Sequence, residues 1–327
     1  MSTRHVCGPS AAIRDRALAA LFAVATILST AAPAAAAEKL TLLLDWFLNP
    51  DHAPLVVAAE NGYFAEAGLD VEMIEPADPN DPPKLVAAGR AELAVSYQPQ
   101  LHIQVAQGLP LTRIATLVAT PLNTLMVLDE GPIRSIADLK GKKVGFSVGG
   151  FEDALLRAML EPVGLGLDDI TLVNVNFSLS PALMAGQVDA VIGAYRNFEL
   201  NQLEIEGSKG RAFYIEEEGV PAYDELIVVA HRDSLDDPRL PKVVHAIERG
   251  VQFLINHPDE SWALFVRHRE ALDDELNRRA WADTLPRFAL RPAALDRGRY
   301  ERFADFLVEQ KMIEAIPPLE TYAVELR

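Results

Sequence analysis

The chain has 327 residues, of which 50% are hydrophobic and 24% are charged, a composition typical of a globular protein with a sizeable core. Its formal net charge is −17 at pH 7, and such an acidic surface repels phosphate backbones, so nucleic acid is excluded as an expected partner. The single cysteine, Cys7, lies near the N-terminus. Disulfides, cysteine nucleophiles and thiolate metal sites are therefore excluded from the rest of the chain.

Residues 1–37 have the three parts of an export signal. Three arginines occur among the first 16 residues, residues 17–32 are apolar, and residues 35–37 are alanines suited to signal peptidase. Because the apolar stretch is too short for a membrane span, we predict a cleavable signal and a periplasmic protein rather than a membrane anchor. The signal carries a net charge of +2, so its removal changes the formal charge from −17 to −19.

Short apolar runs alternate with longer amphipathic patterns, and this rhythm changes after about residue 230. The predicted strands are at 40–44, 71–74, 93–95, 114–118, 144–146, 172–175 and 190–192. The predicted helices are at 54–66, 82–88, 101–107, 153–163 and 181–185. This rhythm predicts an α/β fold of parallel sheets covered by helices on both faces.

The last third of the chain is predicted to be helical. Four amphipathic patterns follow one another, at 240–256, 260–268, 274–283 and 296–311. Such a tail is expected to pack against a domain that has already formed. Before it, residues 131–146 resemble a connection into a second sheet and residues 219–233 a return from it.

Aromatic and polar side chains follow four of the predicted strands. They are Asp45, Trp46, Asn49 and His52, then Ser96, Tyr97 and Gln98, then 147–151 with Gly149 and Gly150, and finally Tyr195, Asn197 and Glu199. Because ligands of open α/β sheets bind beyond the carboxyl ends of the strands, we expect these groups to border a cleft.

The residue types at these strand ends indicate the kind of ligand. Tryptophan and tyrosine rings stack on flat rings, and amide side chains both donate and accept, which suits the nitrogens of a heterocycle. The carboxylates of Asp45 and Glu199 accept from amines and disfavour anions. The pattern therefore favours a neutral or cationic aromatic ligand.

One enzyme motif competes with this interpretation. Residues 145–149 read G-F-S-V-G, which matches the nucleophile elbow of serine hydrolases around Ser147. Gly149 and Gly150 are explained equally well as glycines that let backbone N–H groups approach a ligand. The histidines show none of the spacings of a metal site, and no metal or cofactor is predicted.

Three segments resemble type II periplasmic substrate-binding proteins, and within that class the thiamine-pyrimidine branch. They are residues 42–81, with LDWFLNPDH and EPADPND, residues 84–96 and residues 135–150, and the resemblance covers most of 39–270. The motif GYFAEAGLDV is shared with sulfonate, taurine and nitrate binders, whereas LDWFLNPDH with EPADPND is more specific. The branch includes the ThiY-like binding proteins of bacterial ABC importers and the fungal thiamine pyrimidine synthase.

The resemblance implies two α/β lobes that close on a ligand about a two-segment hinge near residues 125–131 and 220–228. The first lobe would be discontinuous, with residues 38–128 and 225–327, and the second would contain residues 129–224. The C-terminal helices are then expected to pack on the first lobe.

The resemblance also implies roles for individual residues. Glu199 is expected to accept from the exocyclic amine of an aminopyrimidine, and Tyr223 on the return segment is a further candidate. Leu48 and Asp51 depart from the family, which usually has threonine- or asparagine-like residues there. The predicted substrate-binding residues are Trp46, Asn49, His52, Tyr97, Gln98, Gly149, Gly150, Tyr195, Asn197, Glu199 and Tyr223.

These expectations lead to a functional hypothesis. The protein is expected to be a monomeric solute-binding component of an ABC importer, which captures a formylaminopyrimidine- or hydroxymethylpyrimidine-type precursor and passes it to a membrane permease. Alternatives are a binder of a sulfonate, nitrate or riboflavin-like ring, and a pyrimidine synthase. The synthase needs a lysine for pyridoxal phosphate and a histidine four residues on, where this chain has Ser96 and Gln100. We therefore predict binding without catalysis.

Overall fold

In a computed structural model of the protein, the structure describes His5 and residues 37–326. Most of the predicted export signal, including Cys7, lies outside the described residues. Between residues 37 and 326, none of the helices combines the length and the apolar character that a membrane-spanning segment requires.

Ten strands in the described part of the chain form two five-stranded sheets. The first sheet has the spatial order β2-β1-β3-β10-β4 and the second has the order β7-β6-β8-β5-β9. In chain order the strands are β1 (Glu38–Leu43), β2 (Leu69–Ile74), β3 (Leu93–Ser96), β4 (Leu111–Val118), β5 (Asn123–Leu128), β6 (Lys143–Phe146), β7 (Thr171–Asn174), β8 (Ala190–Tyr195), β9 (Gly210–Tyr214) and β10 (Leu226–His231).

Both sheets are mixed, whereas the β-α-β rhythm predicts parallel ones. In the first sheet β1 is parallel to β2 and β3, but β10 is antiparallel to β3 and β4. In the second sheet β6 is parallel to β7 and β8, but β5 is antiparallel to β8 and β9. The reversed strands, β5 and β10, are those that begin just after the chain passes from one sheet to the other. They start at the edge where neighbouring strands end, so they run in the opposite direction.

The chain passes from the first sheet to the second between Val118 and Asn123, before the predicted hinge at 125–131. β5 therefore lies in the second sheet, although the sequence places residues 123–128 in the first lobe. The run NTLMVL is buried with little alternation, so periodicity does not identify it as a strand. The return passage lies between β9 and β10 and overlaps the predicted segment at 220–228.

Helices cover the sheets, which confirms the α/β two-lobed fold. The predicted helix at 54–66 is broken at Gly62, whose φ of 74° lies in the left-handed region that glycine adopts without strain. The helices are α1 (Ala53–Glu60), α2 (Tyr63–Glu66), α3 (Pro82–Ala87), α4 (Gln98–Ala106), α5 (Glu152–Leu160), α6 (Leu179–Met184), α7 (Glu199–Ile205), α8 (Arg239–Asn256), α9 (Pro258–His268), α10 (Glu275–Thr284) and α11 (Arg297–Glu309).

The C-terminal helices pack mainly on the first lobe. Helix α8 lies against α1, and Gly250 permits the close approach, since a Cβ there would be 2.5 Å from the carbonyl oxygen of Pro54. Helix α11 contacts α4. Helix α10 differs, because it touches both the turn Pro50–His52 after β1 and helix α7 of the second lobe. The C-terminal tail thus also joins the two lobes.

Candidate functional site

A cavity lies where the strand ends of the two lobes meet. Both lobes contribute to its wall. Its lining residues are Asp45, Trp46, Asn49, Asp51, His52, Tyr97, Val148, Phe151, Glu152, Leu179, Gly193, Tyr195, Phe198, Glu199 and Leu226.

The loop after β1 is shaped by its own side chains. The side-chain oxygen of Asn49 accepts from the backbone N–H of Asp51 at 2.8 Å and caps the short 3-10 turn Pro50–His52. In return, the backbone N–H of Asn49 donates to Nδ1 of His52 at 3.3 Å. Asn49 and His52 line the cavity, and they also hold the loop in shape.

Asp45 is the centre of a buried network on the first lobe. Its Oδ1 lies 2.8 Å from Nε2 of His52, and its Oδ2 accepts from the hydroxyl of Tyr97 at 2.9 Å. Because Nδ1 of His52 accepts from Asn49, the proton is on Nε2 and is donated to Asp45. The carboxylate, imidazole and phenol are therefore mutually satisfied.

Aromatic contacts join the two lobes around the cavity. The ring of Tyr97 stacks on Phe151 of the second lobe, with centroids 4.9 Å apart and an interplanar angle of 17°. Trp46 meets Phe177 of the second lobe edge-on at 4.6 Å, and Phe47 lies against the same ring at 4.6 Å. Trp46 and Tyr97 thus line the cavity with positions fixed from the opposite lobe.

On the second lobe, the cavity wall contains Tyr195 and Glu199 at the junction of β8 and α7. Glu199 accepts from the backbone N–H of Tyr195 at 2.6 Å, and burial raises the pKa of its carboxyl to about 7. The Tyr195 hydroxyl donates to the buried carboxylate of Glu225 at 3.3 Å. Glu225 also accepts from the backbone N–H groups of Leu122 and Asn123, so this side of the cavity is linked to the first passage between the sheets.

Glu152 lines the cavity although the sequence analysis did not select it. One of its oxygens accepts from the backbone N–H groups of Ser147 at 2.7 Å and Val148 at 3.1 Å. Burial raises the pKa of this carboxyl to about 8. It lies in the first turn of α5, where helix N-termini favour negative charge whether the acid faces a cavity or solvent.

Asp51 is the second acidic residue that the prediction left out of the site. Its Oδ1 accepts from the side-chain amide of Asn197 at 2.6 Å and from the hydroxyl of Thr284 at 2.9 Å. Burial raises the pKa of Asp51 to about 6, and the hydrogen bonds from Thr284 and Asn197 oppose this shift. Asn197 itself does not line the cavity. Its amide joins Asp51 of the first lobe to Thr284 of α10.

Two more predicted residues lie behind the cavity wall. Gln98 is fully buried, and its side-chain oxygen accepts from the backbone N–H of Asp224 at 2.8 Å. Tyr223 is also fully buried, with its hydroxyl 3.2 Å from Glu225 and its ring edge-on to Phe303 at 5.4 Å. These side chains connect α4, the return passage and the C-terminal helices.

Gly149 and Gly150 are exposed on the outer side of Phe151 and do not line the cavity. The N–H of Gly149 donates to the side chain of Asn80 on the first lobe at 2.9 Å. The adjacent Ser147 is 1% exposed, and its hydroxyl donates to the carbonyl of Asn176. The buried serine hydroxyl is thus hydrogen-bonded to the backbone, and Ser147 does not line the cavity.

The two positions that correspond to the synthase lysine and histidine are in contact with each other. The hydroxyl of Ser96 donates to the side-chain oxygen of Gln100 at 2.8 Å, and both residues are buried. Within residues 37–326, no group of three or more His, Cys, Asp or Glu side chains is arranged to hold a metal ion.

The two lobes, with a cavity between their strand ends, have the periplasmic-binding-protein fold. Solved structures agree with this fold. The alkanesulfonate-binding protein SsuA from Xanthomonas axonopodis pv. citri, bound to MOPS, superimposes with a TM-score of 0.67 and 19% identity, over 86% of this chain and 95% of that one. The aliphatic sulphonate-binding protein SsuA from Escherichia coli does so with a TM-score of 0.66 and 17% identity, over 86% and 96% of the chains. At this identity the likeness concerns the fold.

The chain belongs to the NMT1/THI5-like family, whose family model matches residues 49–261. A Haemophilus influenzae protein named for thiamine biosynthesis is 52% identical over 295 residues, which cover 90% of this chain and 94% of the relative. The formylaminopyrimidine-binding protein of Halalkalibacterium halodurans is 35% identical over 255 residues, 77% of each chain. The 4-amino-5-hydroxymethyl-2-methylpyrimidine phosphate synthase of Legionella pneumophila is 26% identical over 283 residues, which cover 83% of this chain and 88% of that enzyme. The resemblance inferred from the sequence motifs is thereby confirmed.

Proposed function

We propose that the protein is the solute-binding component of an ABC importer and captures a thiamine-precursor aminopyrimidine between its lobes. The observation that carries this proposal is that Trp46, Tyr195 and Glu199, from two different lobes, line one cavity. The 35% identity to a formylaminopyrimidine-binding protein supports the same ligand class.

The cavity offers the contacts that a flat amine-bearing ring requires. Trp46 and Tyr195 provide aromatic faces, and stacking contributes about 0.5–1.5 kcal/mol per ring pair beyond area burial. Glu199 is 7% exposed and retains acceptor capacity beyond its bond to the N–H of Tyr195. Its role in the proposal is to accept from the exocyclic amine of the pyrimidine.

The charge of the cavity argues against an anionic ligand. Its wall carries the four carboxyl groups of Asp45, Asp51, Glu152 and Glu199 and, among the described residues, no lysine or arginine. A sulfonate or phosphate site usually contains an arginine or lysine in addition to backbone donors. The sulfonate-binding structures are therefore similar to this chain in fold, but this chain is not expected to share their anionic ligands.

Catalysis is not part of the proposal. The synthase chemistry requires a lysine and a histidine, which Ser96 and Gln100 cannot replace because neither side chain forms a Schiff base or supplies an imidazole. The buried hydroxyl of Ser147 donates to a backbone carbonyl and is unsuited to act as a nucleophile.

The proposal also includes export and transport. The predicted signal at residues 1–37 would direct the protein to the periplasm, and closure of the lobes would create the surface that the membrane permease recognises. If the signal is cleaved as predicted, the exported protein begins at Glu38, and N-terminal sequencing of the periplasmic fraction tests this directly.

Calorimetric titration of the purified protein with formylaminopyrimidine, hydroxymethylpyrimidine, riboflavin and an alkanesulfonate tests the ligand class. We expect binding of a pyrimidine and, for Glu199→Gln, an affinity about tenfold or more lower, since hydrogen bonds to charged groups contribute about 1.5–3 kcal/mol. Glu206→Gln, the same change at an exposed position just beyond α7, is the matched control and should bind normally. Binding of the sulfonate, with no effect of Glu199→Gln, would refute the proposal.

A further inference from the structure

The carboxylate of Asp51 has one oxygen in use and one without a partner. Oδ1 accepts from Asn197 and Thr284, whereas Oδ2 is buried with no hydrogen-bond partner among the described residues. Asp51 is 1% exposed and lines the cavity. A buried acceptor without a donor costs about 1–3 kcal/mol, and more when it is charged, so this oxygen is suited to a donor within the cavity.

The other carboxylates around the cavity already have donors. Asp45 accepts from His52 and Tyr97, Glu152 from two backbone N–H groups, and Glu199 from one. The titratable groups that act on Asp51 are His52, Asp45 and, from α7, Glu199. Two of these three are acids, so the potential at Oδ2 favours a cation or a strongly polarised N–H group.

We propose that Asp51 recognises a second hydrogen-bond donor of the ligand, an ammonium or N–H group on the ring substituent. The preferred pyrimidine then carries an aminomethyl-type side arm, whose amine is charged at neutral pH. This inference rests on the proposed function and specifies which pyrimidines the cavity selects.

The same carboxylate takes part in lobe closure. Asp51 belongs to the first lobe, Asn197 lies between β8 and α7 of the second, and Thr284 ends α10. A ligand donor on Oδ2 satisfies the group whose other oxygen holds the lobes together. A side arm without a donor leaves Oδ2 unpaired in the closed protein, which penalises that ligand.

The test uses four 4-amino-2-methylpyrimidines that differ at the 5-position: aminomethyl, formylaminomethyl, hydroxymethyl and methyl. We expect calorimetric affinity to decrease in that order, with the aminomethyl compound binding at least tenfold more tightly than the methyl compound. In Asp51→Asn the affinity for the aminomethyl compound should fall about tenfold or more, while the affinity for the methyl compound changes less than twofold. The asparagine side chain keeps the shape of aspartate and its Oδ1 acceptor, but it lacks the negative charge and the Oδ2 acceptor.

Thr284→Val is the matched control, because it removes a donor to Oδ1 and leaves Oδ2 unchanged. It should weaken all four ligands by the same factor. Equal wild-type affinities for the aminomethyl and methyl compounds, or an equal loss for all four in Asp51→Asn, would overturn the inference and leave the pyrimidine-binding function intact. If none of the four binds, both proposals fail. The wild-type series decides the question even if Asp51→Asn does not fold.

Discussion

The two walls of the cavity hold their carboxyl groups in different ways. On the first lobe, Asp45 accepts from two side chains, His52 and Tyr97, which belong to the same buried network. On the second lobe, Glu152 and Glu199 accept from backbone N–H groups, and burial raises the pKa of both carboxyls. The first arrangement maintains the shape of the loop, whereas the second keeps acceptor capacity for a ligand.

This difference in donors indicates how a role can be assigned to a buried acidic residue. A carboxylate whose oxygens are both matched by side-chain donors has little left to offer a ligand, even when it lines the cavity. A carboxylate held by backbone donors is costly to keep charged in an empty cavity, and a ligand that brings an amine relieves that cost. Asp51 combines both properties, with one oxygen matched and the other unpaired.

The largest effect expected from this contrast is a pH dependence of stability. Burial raises the pKa of Glu152 to about 8 and that of Glu199 to about 7, above the ordinary value of 4.5. The folded state therefore binds more protons than the unfolded state between these values, and stability falls as pH rises. We expect these two groups to lower the free energy of unfolding of the ligand-free protein by about 6 kcal/mol from pH 5 to pH 8, measured by urea denaturation.

Glu152→Gln is the control for that measurement. A single oxygen of Glu152 accepts both backbone N–H groups, so glutamine can keep the two bonds without the charge. The pH dependence should become distinctly flatter in this variant. A wild-type stability that rises between pH 5 and pH 8 would contradict the assignment of the second lobe's acids.

Asp45→Ala tests the first-lobe wall, where the carboxylate accepts from two side chains. The substitution leaves Nε2 of His52 and the hydroxyl of Tyr97 as buried donors without acceptors, at about 1–3 kcal/mol each. We expect the ligand-free protein to lose about 3 kcal/mol of unfolding free energy in urea at constant pH. Tyr97→Phe should cost less, because Asp45 retains His52. If Asp45→Ala unfolded like the wild type and lost only affinity, Asp45 would be a ligand contact and the contrast between the walls would be wrong.

The smallest effect concerns the aromatic contact between the walls. Phe177 of the second lobe lies against Trp46 and Phe47 of the first, with both centroid distances at 4.6 Å. Phe177→Ala should weaken pyrimidine binding by about 1 kcal/mol through faster dissociation, because the closed lobes lose an aromatic pair. Stopped-flow fluorescence of Trp46 would report the dissociation rate. Phe47→Ala, at a residue 48% exposed, should have a smaller effect.

Part of the site followed from the strand pattern alone. Trp46, Tyr97, Tyr195 and Glu199 lie at or within four residues of the ends of β1, β3 and β8, and all four line the cavity. Strand periodicity locates the carboxyl end of a strand, and the α/β fold brings these ends together. For residues at strand ends, the position in the chain is therefore enough to predict a place near the cavity.

Other predicted residues show that a place near a strand end does not determine which way the side chain points. Gln98, Asn197 and Tyr223 lie near strand ends, yet their side chains turn towards the return passage, α10 and the C-terminal helices. The direction of these side chains depends on partners 80 or more residues away in the chain. Glu152 and Asp51 were missed for the same reason, since nothing local distinguishes a cavity-lining acid from a solvated acid at a helix start.

The sequence by itself determined the α/β alternation, the helical C-terminal third and the strand ends at which a ligand would be held, because hydrophobic periodicity and turn chemistry are local properties. The tertiary structure decided the reversed direction of β5 and β10, the link that α10 makes between the lobes, and the number of donors that each buried carboxylate receives. Those donors come from distant segments, and the free energy of a buried charge depends on all the groups that surround it.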